Sequence, residues 1–252
     1  MLLDTHFHLD LAKNPEQTAE AIEKEKIFTI AVTNLPQLFL NTEKLCAGYK
    51  YIRPALGYHP ELASQYNDQL SLFVDLIDRT RYVGEIGLDN QKKGDDDFKQ
   101  QIKIFENVIS VCADRKDKIL TIHSRKAEEQ VISTIGNNFP GKVIMHWYSG
   151  SLKELERALS YGFYFSVNYN MTRSASGKKI IQEIPLERIL LETDGPFTSF
   201  NSEPFSPIML PSIIDAICKI KNLSPSEDAD FLNANIKSLL SKYRNKSTFD
   251  FT

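Results

Sequence analysis

Eight short runs of apolar and β-branched residues recur along this chain, with longer, mostly helix-patterned stretches between them. That alternation constrains the fold more than any other feature. The runs are "LLDTH" (2–6), "FTIAVTN" (28–34), "IRPALGYH" (52–59), "YVGEIGLD" (82–89), "KILTIHS" (118–124), "KVIMHWY" (142–148), "FYFSVN" (163–168) and "ILLETD" (189–194). Strands alternating with helices pair in parallel through right-handed crossovers. Eight such units in 252 residues predict one α/β domain over 1–252, a closed (β/α)8 TIM barrel. The length is typical of that architecture, at ~250 residues.

The helical stretches carry their own signals. "PEQTAEAIEKEK" (15–26) opens on Pro15, a favoured first helical residue. In "DDFKQQIKIFENVISVCADRK" (96–116), Phe98, Ile102, Phe105, Ile109 and Cys112 fall three or four apart and form one face. "SLKELERALSYG" (151–162) offers Ser151 as N-cap, Glu154 as its capping-box partner and Gly162 as a stop. The tail "SPSEDADFLNANIKSLLSKYR" (224–244) predicts an additional C-terminal helix. "RSASGKK" (173–179) carries three cations among small residues and reads as a flexible loop, either solvated or tracking a nucleic-acid backbone, and 198–207 is the longest region without pattern.

Composition narrows the function. No apolar run is long enough to cross a membrane. The first residues lack the basic and apolar blocks of a signal peptide. Cys46, Cys112 and Cys218 are far apart and odd in number, so they predict no disulfide framework and no metal pair. These features together predict a cytoplasmic protein. The net charge of −3 supplies no globally basic surface, so nucleic-acid binding needs a local positive source.

The histidines supply a candidate. His6 and His8, two apart in a strand, point the same way, at the carboxyl end of the first run. His59 ends the third run, and His123 and His146 lie near the ends of the fifth and sixth. Glu85 and Asp89 sit in the second half of the fourth run, and Asp194 ends the eighth. All five histidines thus fall on the face where barrels of this kind build their sites. Buried imidazoles and carboxylates are costly unless paired or metal-bound, so the pattern predicts a metal site.

The pieces "DTHFHLD", "ALGYHPEL", "VGEIGLD", "TIHSRKA", "MHWYSGS" and "LLETDGPF" occur in the order of a known family. Over about 2–240 the chain resembles the TatD-type metal-dependent deoxyribonucleases of the amidohydrolase superfamily. "IHSRKA", "HWYSGS" and "ETDGPF" look closest to the nuclease component of Qat anti-phage defence systems. The resemblance implies two divalent metal ions (Zn, Mn or Mg), one held by His6, His8 and Asp194, the other by His123 and His146, with Glu85 bridging. Such a centre would be an anion attractor on an acidic chain. It implies a DNA substrate and 3′–5′ exonuclease action, with Glu85 and Asp194 as the catalytic carboxylates.

The same resemblance places His59 toward a phosphate. Arg125 is a planar phosphate donor or the partner of Glu128 or Glu129. Glu192 faces the substrate or steadies a histidine, Asp4 supports the ligands from behind, and Asp89 orients the site or starts a turn. Trp147 and Tyr148 stand where many family members have cysteine and phenylalanine, and either stack on a base or fill core. Two further functions fit the same residues: amide or ester hydrolysis, such as an aminoacyl ester, and a partner-dependent subunit of a defence complex.

Overall fold

A computed structural model of the chain describes residues 2–91, 94–200, 202–223 and 227–241. The alternation is a (β/α)8 barrel. Its strands are β1 (Leu3–Phe7), β2 (Phe28–Ala31), β3 (Ile52–Pro54), β4 (Leu56–Tyr58), β5 (Tyr82–Gly87), β6 (Ile119–His123), β7 (Lys142–His146), β8 (Tyr164–Val167) and β9 (Ile189–Leu191). One parallel ladder runs β1–β2–β3 and another β4 to β9. β3 and β4 are halves of the expected third strand, interrupted at Ala55, whose N–H still bonds the Ala31 carbonyl at 2.8 Å. The circle closes where Asp194 N–H donates to His6 O and Thr5 Oγ1 to Leu191 O, both at 2.9 Å.

Around the strands pack α1 (Pro15–Glu25), α2 (Pro36–Cys46), α3 (Pro60–Ala63), α4 (Leu70–Leu76), α5 (Asp95–Asp114), α6 (Glu128–Ile135), α7 (Leu152–Ser160), α8 (Tyr169–Arg173), α9 (Ala175–Glu183) and α10 (Leu210–Lys221). Ser151 caps α7 as expected, its Oγ accepting from Glu154 N–H at 3.2 Å. The "RSASGKK" stretch is not a flexible loop: it closes α8 and opens α9, with Ser174 Oγ capping through Gly177 N–H at 3.0 Å. The patternless region carries a small antiparallel hairpin, β10 (Ser199–Phe200) with β11 (Glu203–Pro204). Asn201, 224–226 and 242–244 of the expected loop and tail lie outside the described residues.

The tail helix α11 (Glu227–Leu240) seals the amino-terminal end. Leu3, Ile30, Val32, Ala55, Tyr82, Ile119, Ile144, Tyr164 and Leu190 form one apolar cluster to which every stave of the barrel contributes, and Ile236 and Leu239 of α11 close it. Polar ties fix the seal: Asn235 Nδ2 donates to Leu186 O and Ile189 O, and Arg81 donates to Leu240 O. No helix among the described residues is long and apolar enough to cross a membrane.

The wall is tightest above the break in the third strand. Thr33 N–H donates to Gly84 O and Thr33 O accepts from Glu85 N–H, so the end of β2 pairs with β5 over β4. Gly57 lies beneath, where a Cβ would fall 1.5 Å from Thr33 O. Gly57→Ala therefore forces backbone apart and is expected to lower the unfolding free energy by about 3 kcal/mol or more. Chemical denaturation checks this; an unchanged midpoint would show that the crossing can yield.

Candidate metal centre

Strand side chains alternate, so residues two apart share a face. Ile119, Ile144 and Leu190 belong to the interior cluster, which puts Thr121 and His123, His146, and Glu192 and Asp194 on the interior path toward the mouth. Regular alternation would instead turn His6 outward from Leu3, and Glu85 outward from Tyr82. Both strands shift register just there, between Asp4 and Phe7 and between Val83 and Ile86. Such bulges re-aim side chains. They bring His6 and Glu85 into the same space as the others.

The donor atoms converge. His6 Nε2 lies 3.4 Å from Glu85 Oε2 and 3.8 Å from Asp194 Oδ1. His8 Nε2 lies 3.5 and 3.6 Å from the same two oxygens, and 3.3 Å from His6 Nε2. Ligands ~2.0–2.2 Å from a common ion stand about 3.0–3.6 Å apart, close to these separations. His6, His8 and Asp194 thus form one group able to hold a divalent cation, with Glu85 Oε2 beside both imidazoles. Asp194 Oδ1 is buried without a hydrogen-bond partner, an acceptor aimed at two imidazoles. Mixed imidazole and carboxylate donors suit zinc, manganese or a similar ion.

On the other side of Glu85, Oε1 is 2.8 Å from His123 Nδ1, 3.4 Å from His59 Nε2 and 3.8 Å from His146 Nε2. His59 therefore stands beside His123 at Glu85, closer than His146. Burial works against a charged Glu85, but His59, His6 and His123 outweigh it and hold the carboxyl well below its usual range.

A further set of groups steadies the imidazoles. Thr121 Oγ1 meets His6 Nδ1 at 2.7 Å, and Asp89 Oδ2 meets His123 Nε2 at 2.8 Å. Glu192 Oε2 pairs with His146 Nδ1 at 2.8 Å; its other oxygen accepts from Asn168 Nδ2 at 2.9 Å and Trp147 N–H at 3.1 Å. Burial lowers His146, yet Glu192 and Asp194 overcome this and raise it to about 10. His6 is stacked on His146 with ring centroids 3.7 Å apart. Burial, then the charge on His146, pushes it well below the imidazole range. Asp4 accepts from His6 N–H and Thr193 N–H, both at 3.1 Å, tying the two strand ends together.

The family model described as TatD-related DNase matches residues 3–241. The chain belongs to that family. Among its TatD-like relatives is the Bacillus subtilis protein named uncharacterized metal-dependent hydrolase YabD, 28% identical over 95% of this chain and 98% of the other. Human deoxyribonuclease TATDN3 is 25% identical over 96% of both chains. The crystal structure of the TatD homologue YjjV from Escherichia coli superposes with a TM-score of 0.83 at 25% identity, over 94% of this chain and 97% of that one. This protein is thus a TatD-family metal-dependent hydrolase.

The TatD-family centre opens into a cavity of about 590 Å³ whose lining includes His8, His59, Arg125, Trp147, Asp194 and Phe197. Arg125 lies on that wall, its side chain 44% exposed; its ion-pair partner is Asp89 at 4.0 Å, not Glu128 or Glu129. Of the two roles expected of Glu192, substrate contact does not fit and support of a histidine does: it is fully buried with both oxygens taken, one of them by His146. Trp147 faces the cavity, whereas Tyr148 is core, its O–H donating to Ser151 O at 2.7 Å.

Sequence reasoning passed over Thr121, Ser166, Asn168 and Phe197. Ser166 donates to Glu192 from two residues before Asn168, just as Thr121 sits two before His123. The available signal was a polar residue two positions from another strand-end polar residue. Phe197, 59% exposed with its ring edge to His8 at 4.9 Å, carried none.

Proposed function

We propose that this single-domain TatD-family hydrolase is a metal-dependent deoxyribonuclease that trims DNA from its 3′ end. The observation carrying the proposal is the convergence of His6, His8, Glu85 and Asp194 donor atoms at 3.3–3.8 Å in a cavity that also holds Arg125. We assign one divalent cation to that set and a second to Glu85, His123 and His146. Bound there, the ions supply Lewis acidity and an acidified water.

The chain's own residues do the remaining work. Arg125 offers a planar pair of donors to a phosphate oxygen. His59 reaches the same space from the start of α3. With Oδ1 given to the cation, the other oxygen of the Asp194 carboxylate, Oδ2, accepts the proton of the attacking water as the new P–O bond forms. As the P–O bond to the leaving sugar oxygen breaks, that oxygen takes up a proton, and Asp194 gives up the one it accepted. Asp89 and Glu192 hold His123 and His146 in place throughout.

The likeness of "IHSRKA", "HWYSGS" and "ETDGPF" to the Qat nuclease component supports a cytoplasmic role in anti-phage defence beside other proteins, which co-purification from a native host tests.

The enzymatic test is single-stranded DNA labelled at the 5′ end, with magnesium, manganese and zinc supplied separately. A metal-dependent ladder that shortens from the 3′ end, and stops with chelator, is expected. Folded, metal-loaded protein that cleaves nothing would overturn the reading and favour an ester or amide substrate.

A further inference from the structure

A second cleft of about 590 Å³ lies between α8, α9, α10 and the β10–β11 hairpin. Its lining includes Arg173, Lys178 and Lys219 against one carboxylate, Asp215. Among the described residues these three cations make no ion pair; Arg173 instead lies over the Tyr169 ring at 5.9 Å. On a chain of net −3, a cleft with a cation excess is a local reversal of sign.

The floor is built for an extended guest. Ser212, Asp215, Ala216, Lys219 and Ile220 fall on one face of α10 and all line the cleft. That face runs for about 12 Å. Tyr169 and Phe200 also line the cleft, with their rings edge-on at 5.3 Å. Cations and aromatic rings along one groove suit single-stranded nucleic acid.

The cleft also adjoins the metal centre. Phe197 lines the first cavity and Phe200, three residues on, lines the second, so one short segment is a wall of both. A second link runs through Asn168, which holds Glu192, and its neighbour Tyr169, which lines the cleft.

We propose that this cleft holds the single-stranded part of the substrate that extends away from the scissile bond, a role that rests on the nuclease reading above. The strand crosses the Phe197–Phe200 ridge and lays its phosphates along Lys178, Lys219 and Arg173.

The test is the salt dependence of binding. Anisotropy of a labelled single strand of about 16 nucleotides is followed in chelator, for the parent protein and for Lys178→Gln with Lys219→Gln. Each phosphate contact contributes about 0.7 to the slope of log Kd against log salt, so the double variant is expected to be shallower by about 1.4. With metal restored, its KM for the long strand rises while kcat holds, and its preference for that strand over a dinucleotide shrinks. An unchanged slope and unchanged length preference would overturn the proposal while leaving cleavage, and the nuclease reading, intact. A shallower slope without cleavage of any nucleic acid would retain the cleft as a binding site and remove the chemistry assigned beside it.

Discussion

Glu85→Gln is expected to abolish hydrolysis while leaving the barrel folded. Glutamine keeps the size and the bulged backbone but removes the charge. It also points an N–H₂ group at atoms that now face acceptors, His6 and His8 Nε2 at 3.4 and 3.5 Å or His123 Nδ1 at 2.8 Å. Every proposed ligand histidine except His146 lies within 3.5 Å of this one carboxylate, and His146 within 3.8 Å. Losing a group one step removed from a metal costs ~10–100-fold in affinity or activity. Losing the shared ligand is expected to exceed that in kcat/KM, and elemental analysis is expected to show depleted metal. Circular dichroism matching the parent protein keeps the comparison fair. Activity within tenfold of the parent would remove Glu85 from the centre.

Asp194→Asn is the second large effect, and it separates charge from shape. Asp194 adopts a left-handed backbone, φ +52°, which asparagine tolerates well. Its backbone N–H closes the barrel by donating to His6 O. Asparagine keeps that bond and that turn. It loses the proton acceptor and the anionic ligand, so kcat is expected to fall more than about a hundredfold. Stability moves the other way in chelator. Burial raises the Asp194 carboxyl from 3.8 to about 7, only partly offset by His146 and His8. A raised carboxyl contributes stability that is complete below pH ~3.8 and lost as pH climbs through ~7. The asparagine variant lacks that decline, so its urea midpoint is expected to lead the parent's most clearly above pH 7. Midpoints that fall in parallel across the range would contradict the assignment of this loss to Asp194.

The two variants also show what sequence can and cannot disclose. The strand periods and the strand-end histidines were readable because each stave repeats the same local pattern. Asp194 shares its parity with Leu190, so its inward aim follows from counting. Glu85 and His6 do not obey that count: each lies an odd number of residues from its strand's interior anchor, and only a register shift turns it inward. A bulge has no residue signature in "VGEIGLD" or "LLDTHF". Glu192 was ambiguous for another reason. Parity places it inward, but whether it meets substrate or histidine depends on depth, which comes from the tilt of neighbouring strands. "RSASGKK" misled through composition: small residues read as loop became a Ser174-capped helix start because Ile180 and Ile181 found core to pack against.

The helix that plugs the amino-terminal end has a consequence for traffic. With Ile236 and Leu239 filling the floor and Asn235 and Arg81 bolting α11 down, the barrel is a blind well. Whatever is cut at the bottom of the cavity leaves by the opening through which it came. On the nuclease reading proposed above, the freed nucleotide would leave by the doorway through which the strand advances. Product departure is then expected to contribute to the pace of the reaction, and added mononucleotide is expected to slow it.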